Sequence, residues 1–568
     1  MEVEDVLQRL GKWGLWQVIF YILIGISNGF PAVWHMLAIV FIGGKPEHHC
    51  ELQDGEVFNE TIPLVLEKKE WIRSSCLRYT KNGTFGNETE KCSTWSYDAE
   101  IGPTIITEWD LVCDKDYLKD TTQTVMVFGV MVGAMFFSLM SDLFGRKPVY
   151  LTSLWSMVVI GTITAFVNNY YLFTTLRFIA GALQQGIILT AFVLACELFP
   201  ASNRTVVGIA INLFWAVGMM ILALLAFLIR QWRWLQLTIS LPGALTIVFY
   251  WILPESVPWL VANGRYKDAE KIVYKAAKFN KVHLPDKVFT SHESEGMLSE
   301  DKTELSKQNG GFLANVKERI RKRKEAKRDA GAQYTVLDVF RHRRLLINAL
   351  VMCTLWFVNS LVYYGLSLST ASLAGDRYLN FFISGVVEFI AYFITIFVLQ
   401  FFGRRWPLCV YHIIAGVALF ITAFVPEETA SGVDLTPLII TFNMIGKFGI
   451  TGSFGTVFLY APEIFPTTLR NQAMGVSSVG GRLGNMLAPF SSYVIEKLPW
   501  FPGLFFGITS IAAGLLTLIL PETHNKPLPQ TIEDVDRLSG KTVHPADTVS
   551  PPVESMALQD GKPVAADP

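Results

Sequence analysis

The sequence predicts an all-α membrane protein, twelve transmembrane helices in two pseudo-symmetric six-helix bundles with a large extracellular loop after the first helix. Three observations carry this. Of the 568 residues, 51% are apolar and 13% aromatic while only 17% are charged, too little charge to cover a water-soluble globule of that size. Twelve runs supply the roughly 20 predominantly apolar residues that a helix needs to cross a bilayer. Three short marks recur, in the same order, in the two halves of the chain.

The first run, from about Trp13 to Ile42, is too long for a secretory signal and lacks a small-residue cleavage site, so it reads as a retained helix. Further cores lie near 121–141, 148–168, 171–196, 206–229 and 234–253, then near 346–372, 377–401, 407–425, 436–460, 472–495 and 500–520. Helices are required because lipid offers backbone polar groups no partner. An even number of crossings puts both termini on one face. The short turns on that face carry Arg146, Lys147, Arg204, Arg404, Arg405 and Arg470, against Arg230, Arg233, Arg377 and Lys497 opposite, which places the termini in the cytoplasm. The expected organisation is therefore 1–42, cytoplasmic N-terminus and helix 1; 43–120, extracellular loop; 121–254, helices 2 to 6; 255–345, cytoplasmic loop; 346–520, helices 7 to 12; and 521–568, a cytoplasmic tail with little to bury. A basic run from Lys317 to Arg328 reads as a helix near anionic lipid or as a solvated face. Lys+Arg and Asp+Glu, 48 against 49, nearly cancel, so charge does not argue for nucleic acid, and a monomer is expected.

The loop holds Cys50, Cys76, Cys92 and Cys113 beside the sequons at Asn59, Asn82 and Asn87. That combination predicts an oxidising, extracellular environment with glycosylation and two disulfides, in any of three pairings. The sequon at Asn203 falls on the cytoplasmic side and is expected to stay unused.

The internal repeat is specific. Gly145-Arg146-Lys147 returns as Gly403-Arg404-Arg405, Glu197-Leu-Phe-Pro200 with Arg204 as Glu463-Ile-Phe-Pro466 with Arg470, and Leu253-Pro254-Glu255 as Leu520-Pro521-Glu522, at offsets of 258, 266 and 267 residues. Each mark alone reads as a helix stop or an inner basic residue; the ordered triplet reads as two copies of one six-helix unit. The glycine allows a tight turn, and the arginine of one turn can reach the glutamate of another and lock the inner ends of a half. Asp142, Gly145, Arg146, Glu197, Arg204, Gly403, Arg404, Glu463 and Arg470 are thus the candidate gating residues.

Together with Asp142-Leu-Phe-Gly145-Arg146-Lys147 and Pro254-Glu255-Ser256-Val257-Pro258-Trp259-Leu260, this repeat resembles the major facilitator superfamily. The cysteine loop and Thr107-Glu108-Trp109-Asp110-Leu111-Val112-Cys113 narrow the resemblance to solute carrier family 22, the organic cation, anion and zwitterion transporters. Gly446-Lys447-Phe448-Gly449, Tyr364-Gly365-Leu366-Ser367-Leu368 and Ser478-Val-Gly-Gly-Arg482-Leu483-Gly484 look most like the organic cation/carnitine branch, whereas Trp232-Arg233-Trp234-Leu235-Gln236 looks like the pure cation transporters. Gln400 stands where the first half has Asp142, and the Pro-Glu-Ser motif lacks the family's usual arginine. These departures imply a looser cytoplasmic lock.

An ionised residue at mid-membrane costs roughly 2.5–3.5 kcal/mol and needs a partner or a wet cavity. Glu388, Lys447 and Arg482 are three such residues, all in the second half, and all three are candidate substrate-binding residues. One anion cannot neutralise two cations. If Glu388 pairs with Lys447, Arg482 is free to meet a carboxylate through its planar fork; in the alternative, Glu388 bridges Arg482 and neither touches substrate. The resemblance implies an arginine here in anion and carnitine carriers and an acidic residue in cation carriers. A quaternary ammonium, which has no N–H to donate, is held by aromatic faces, and the carnitine branch places cavity aromatics at Trp215, Tyr363, Tyr364 and Tyr460. Each of these, taken singly, also reads as ordinary packing. Asn28 and Gln184 offer oxygens that, by resemblance, help coordinate sodium; interhelical hydrogen bonding is their plain alternative. Arg177-Phe-Ile-Ala-Gly181 resembles the Arg-x-x-x-Gly motif of ion-coupled carriers.

No metal-ligand spacing, phosphate loop or activated nucleophile is present, so the expectation is a transporter and not an enzyme, without a cofactor apart from possible sodium coupling. Three readings follow: a zwitterion carrier of carnitine type; an organic cation uniporter or organic anion exchanger; and a non-transporting receptor on a carrier scaffold.

Overall fold

The computed structural model describes residues 2–54, 56–67, 70–80, 88–98, 101–285, 288–289, 336–370, 373, 375–426, 428–429, 432–466, 469–498 and 500–538. The sequons at Asn82 and Asn87, the basic run Lys317–Arg328 and the tail after Leu538 lie outside these residues.

Twelve long helical runs account for the two sixes among the described residues. In the first half they are α1 (Leu15–Leu37, continued by Ile39–Ile42), α2 (Tyr117–Phe144), α3 (Arg146–Thr164), α4 (Tyr170–Glu197), α5 (Arg204–Leu228) and α6 (Trp232–Ser240). In the second they are α7 (Arg343–Ser369), α8 (Arg377–Phe401), α9 (Arg405–Thr422), α10 (Thr436–Glu463), α11 (Arg470–Leu487, continued by Phe490–Lys497) and α12 (Trp500–Thr517). Pro242 lies at the start of a 3₁₀ stretch, Leu241–Val248, that continues α6 to Phe249–Ile252. Helix starts follow capping chemistry: the Asn169 side chain accepts from the backbone N–H of Tyr171 and Leu172 at α4, and Asp376 does the same for Tyr378 and Leu379 at α8. The halves are tightly packed where glycines replace side chains. A Cβ on Gly129 would lie 2.0 Å from the Phe178 carbonyl oxygen and one on Gly181 2.1 Å from that of Met126, so α2 and α4 touch backbone to backbone.

After α1 the chain forms three two-stranded antiparallel sheets, β1 (His48–Cys50) with β6 (Trp95–Tyr97), β2 (Leu64–Glu67) with β3 (Glu70–Arg73), and β4 (Leu77–Tyr79) with β5 (Thr89–Lys91). Of the three open pairings, Cys50–Cys92 and Cys76–Cys113 are the ones formed. Asn59 is exposed on this loop. The helix Ile105–Trp109 welds the loop to the first half: Arg233 pairs with Glu108, the Trp232 indole donates to Glu108 at 2.8 Å, and the Trp109 ring lies 5.0 Å from Phe173 and 5.8 Å from Trp232.

The two ends of the molecule differ. On the face bearing this loop the halves interdigitate: Phe41 stacks on Tyr378 at 5.5 Å and meets Phe381 at 5.0 Å, Phe227 meets Tyr378 at 5.7 Å, and Thr124 donates to the Met486 carbonyl at 3.2 Å. A buried cluster from Val33 through Met219 and Leu222 to Leu368 and Phe381 completes the seal. Toward the face bearing the termini each half has its own core, one including Phe199, Trp259 and Val273, the other Tyr460, Phe465 and Leu520, and a small cluster of Ile209 on α5 with Tyr392 and Leu399 on α8 joins the two halves.

Candidate functional site

The three membrane charges are arranged unequally. Glu388 on α8 and Lys447 on α10 are buried and paired, Nζ to Oε2 3.2 Å. Lys447 also donates to the Ser367 hydroxyl at 2.5 Å and lies 3.6 Å above the Tyr363 ring, while the Tyr363 hydroxyl donates to the other Glu388 oxygen at 2.5 Å. Tyr363 and Ser367 are one helical turn apart, hence on one face of α7, and together they bracket the ammonium. Phe454 stacks on Tyr363 at 5.2 Å. The sequence grouped Glu388, Lys447 and Tyr363 with the substrate contacts; the structure gathers them in one buried, ion-paired cluster, with Ser367, Phe454 and the nearby Tyr392 as members that the sequence did not assign to it. The i,i+4 spacing of Tyr363 and Ser367 was the available signal.

Arg482 stands outside this cluster. It is half-buried on α11 and has no ion pair or hydrogen bond among the described residues, with Tyr364 within electrostatic reach. Its helix is pressed against α7 at Gly480 and Gly484, where a Cβ would lie 2.2 Å from the Cys353 carbonyl oxygen and 2.3 Å from that of Phe357. Trp215 on α5 and Tyr364 on α7, one from each half, border the same loop-face seal with Phe30 and Met486, and the Trp215 indole N–H is buried without an acceptor. Tyr460 is elsewhere. It lies thirteen residues beyond Lys447 on α10, about 20 Å along the axis, is fully buried, and donates its hydroxyl to the Pro521 carbonyl. It packs the terminal-face core and is not a neighbour of the charge cluster.

Asn28 and Gln184 are buried, and Gln184 donates to the Ala32 carbonyl at 2.9 Å, one turn along α1 from Asn28. The side-chain oxygens of both residues are buried with no donor. Arg177, 1% exposed, donates to the His35 carbonyl at 2.7 Å and to Gln123 at 2.8 Å, which holds α4 to α1 and α2.

The repeated marks form two related locks on the terminal face. Gly145 and Gly403 both have positive φ, 107° and 81°, which a side chain would strain. Glu255 accepts from the backbone N–H of Arg146 and Lys147 at 3.0 and 3.1 Å, and Glu522 accepts from those of Arg404 and Arg405 at 3.0 and 3.1 Å. Each carboxylate therefore caps a helix N-terminus, where negative charge is favoured. Burial pushes the Glu255 carboxyl up from the ordinary carboxylate range, and the N–H donors of Ser256, Lys147 and Arg146 pull it back. Arg146 reaches Asp142 at 3.1 Å and Glu197 at 3.5 Å; Arg404 holds Glu463 through Nε at 3.1 Å and Nη2 at 3.2 Å, and the Thr523 hydroxyl donates to Glu463 at 2.5 Å. The departure at Gln400 implied a looser second lock. The structure reverses this, because the two-nitrogen grip and Thr523 make it the tighter one. Arg204 turns to Glu4 of the N-terminal segment at 3.5 Å, and Arg470 starts α11 with Nε and Nη2 buried and without acceptors.

Two six-helix bundles, sealed at one face and carrying matched locks at the other around buried charge, define a membrane carrier of the major facilitator class. The family model described as "Sugar (and other) transporter" matches residues 79–534. The chain is 37% identical to the organic cation transporter protein of Drosophila melanogaster over 96% of this chain and 97% of that one. It is 31% identical to organic cation/carnitine transporter 2 of Homo sapiens over 95% of each, and 32% identical to organic anion transporter 3 of Oryctolagus cuniculus over 94% of each. A partially occluded, inward-open xylose transporter from E. coli superposes with a TM-score of 0.58 at 15% identity, covering 90% of this chain and 99% of that one, a likeness of fold alone. The chain belongs to the sugar (and other) transporter family of the major facilitator superfamily and, within it, to solute carrier family 22. It is a multi-pass membrane transporter of small organic solutes, not an enzyme.

Proposed function

We propose that the protein carries zwitterions of carnitine type, a quaternary or protonated amine joined to a carboxylate, across the plasma membrane by alternating access, with both termini in the cytoplasm. One observation supports this above all: Glu388 and Lys447 neutralise each other, leaving Arg482 as an uncompensated cation. A bidentate guanidinium fits a carboxylate and repels a simple cation. Both the ammonium above Tyr363 and the stacked Phe454 occupy that ring, so the substrate's cationic end is assigned to Trp215 and Tyr364. The halves are sealed on the loop face; exchanging that seal for one at the locks is the movement proposed to carry the site between faces. The donor-free oxygens of Asn28 and Gln184 are the proposed ligands of a coupling sodium ion, a hard cation that takes oxygen donors.

Uptake into proteoliposomes of carnitine, tetraethylammonium and a dicarboxylate, with and without a sodium gradient, tests the reading. Carnitine uptake driven by sodium is expected. Tetraethylammonium uptake that carnitine does not inhibit would replace it with a cation uniporter, and dicarboxylate exchange with an anion carrier. Ligand-induced thermal stabilisation without flux of any of the three would point to a receptor.

A further inference from the structure

The two locks differ further beside one nitrogen of the arginine. In the first half, Arg146 Nη1 faces the Asp142 carboxylate at 3.1 Å and donates to the Ser141 carbonyl. The repeat places Arg404 Nη1 on the Leu399 carbonyl at 2.9 Å, but the residue matching Asp142 is Gln400. The position beside Arg404 Nη1 is taken instead by the Nδ1 of His524, 3.1 Å away; the residue matching His524 in the first half is Val257. Guanidinium can only donate, so His524 Nδ1 must accept, and the contact exists only with a neutral imidazole protonated on Nε2.

We propose that His524 makes the second lock a pH-sensitive latch, closed with a neutral imidazole and weakened when the imidazole is protonated. A carboxylate at this position stays ionised through mild acid, whereas histidine is the side chain whose ordinary titration falls between pH 5 and 8. Protonation removes the acceptor and sets two cations against each other at contact distance. Arg404 meets the imidazole and Glu522 accepts the His524 backbone N–H; the other charged groups on the elements that converge here are Arg405 at the start of α9, Glu463 at the end of α10, Lys526 on the same segment, Arg344 at the start of α7 and Arg470 at the start of α11. The two carboxylates are already engaged: Glu463 by Arg404 and Thr523, Glu522 by four backbone N–H groups. An imidazolium therefore competes with Arg404 for Glu463 and loosens the tie that joins α9, α10 and the segment after α12 into one moving body.

The test compares wild type, His524→Gln, which retains an acceptor at every pH, and Gln400→Asp/His524→Ala, which supplies the carboxylate that the first half uses. Initial uptake of both carnitine and tetraethylammonium is measured in proteoliposomes with pH clamped equally on both faces at 7.5 and at 5.5, and the unfolding midpoint of the detergent-solubilised protein is read at the same two values. Wild-type uptake of the transported solute is expected to fall by roughly three- to tenfold at pH 5.5, with a lower midpoint, and both variants to keep less than about half of that sensitivity. Because the midpoint needs no substrate, a mistaken choice of solute does not disguise the result. Superimposable pH responses of wild type and His524→Gln in uptake and midpoint would overturn the latch.

Discussion

Lys447 and Glu388, on α10 and α8, form an ion pair of 3.2 Å with at most 2% of either side chain exposed. Two ions taken out of water and lipid headgroups are tolerable only while each has the other, so removing one leaves a bare buried charge. Glu388→Gln and Lys447→Gln are each expected to lower stability by about 3–5 kcal/mol, and the double variant by much less than the sum. Thermal unfolding of the four proteins in one detergent gives the coupling energy. Additive losses would show that the pair is not a unit.

Arg482 should behave in the opposite way. With no anion beside it, the side chain contributes nothing to the fold that its removal could break, so Arg482→Ala is expected to leave the unfolding midpoint unchanged or raised. Carnitine uptake by the same protein should fall at least about a hundredfold, and Arg482→Lys, which keeps charge but loses the planar fork, should lose about tenfold. Uptake kinetics beside unfolding curves separate this from the second sequence-based alternative, in which Arg482 is structural and its loss destabilises.

What was legible from the chain divides along physical lines. The twelve spans, the repeat and the glycine turns depend on local composition and order, and Gly145 and Gly403 have the positive φ that such turns need. The pairing of Glu388 with Lys447 was legible only as one branch of an argument from charge balance. Helix rotation was not legible at all: in a chain with 18 tyrosines and 15 tryptophans, nothing local told Tyr364, at the seal, from Tyr460, in the terminal-face core. The second lock was misjudged for a related reason. Its strength depends on Thr523, which lies 60 residues from Glu463 in sequence and hydrogen-bonds to it, while the resemblance drew attention to Gln400 next to the turn.

Tyr460 offers a clean check on that correction. Its hydroxyl donates to the Pro521 carbonyl in a fully buried site, so Tyr460→Phe leaves a carbonyl unsatisfied and should cost about 1–3 kcal/mol with KM for the transported solute unchanged. Trp215→Ala and Tyr364→Ala, by contrast, should raise KM several-fold, as expected when a face contributing about 0.5–2 kcal/mol to an ammonium is lost. Initial-rate uptake across a substrate series distinguishes the two patterns; a raised KM for Tyr460→Phe would return that residue to the site.

The loop provides the last prediction, because its two bridges do separate work. Cys76–Cys113 ties the β4–β5 hairpin to the segment that enters α2, whereas Cys50–Cys92 ties the strand leaving α1 to the same hairpin and encloses 42 residues of sequence separation. Closing a loop of that size restricts the unfolded chain by about 2–5 kcal/mol, and the docked helix Ile105–Trp109 gives the folded loop a rigid base through Glu108 and Arg233. Cys50→Ser is therefore expected to loosen the loop while leaving the helical halves intact: faster protease cleavage between Cys50 and Cys92, an unchanged helical signal, and a free Cys92 that alkylates. Arg233→Ala should instead release the base, exposing Trp109 to quenching with both bridges still formed. Non-reducing peptide mass spectrometry decides the pairing itself; recovery of Cys50 linked to Cys76 or Cys113 would mean that the loop is threaded differently and that the two variants cannot be separated in this way.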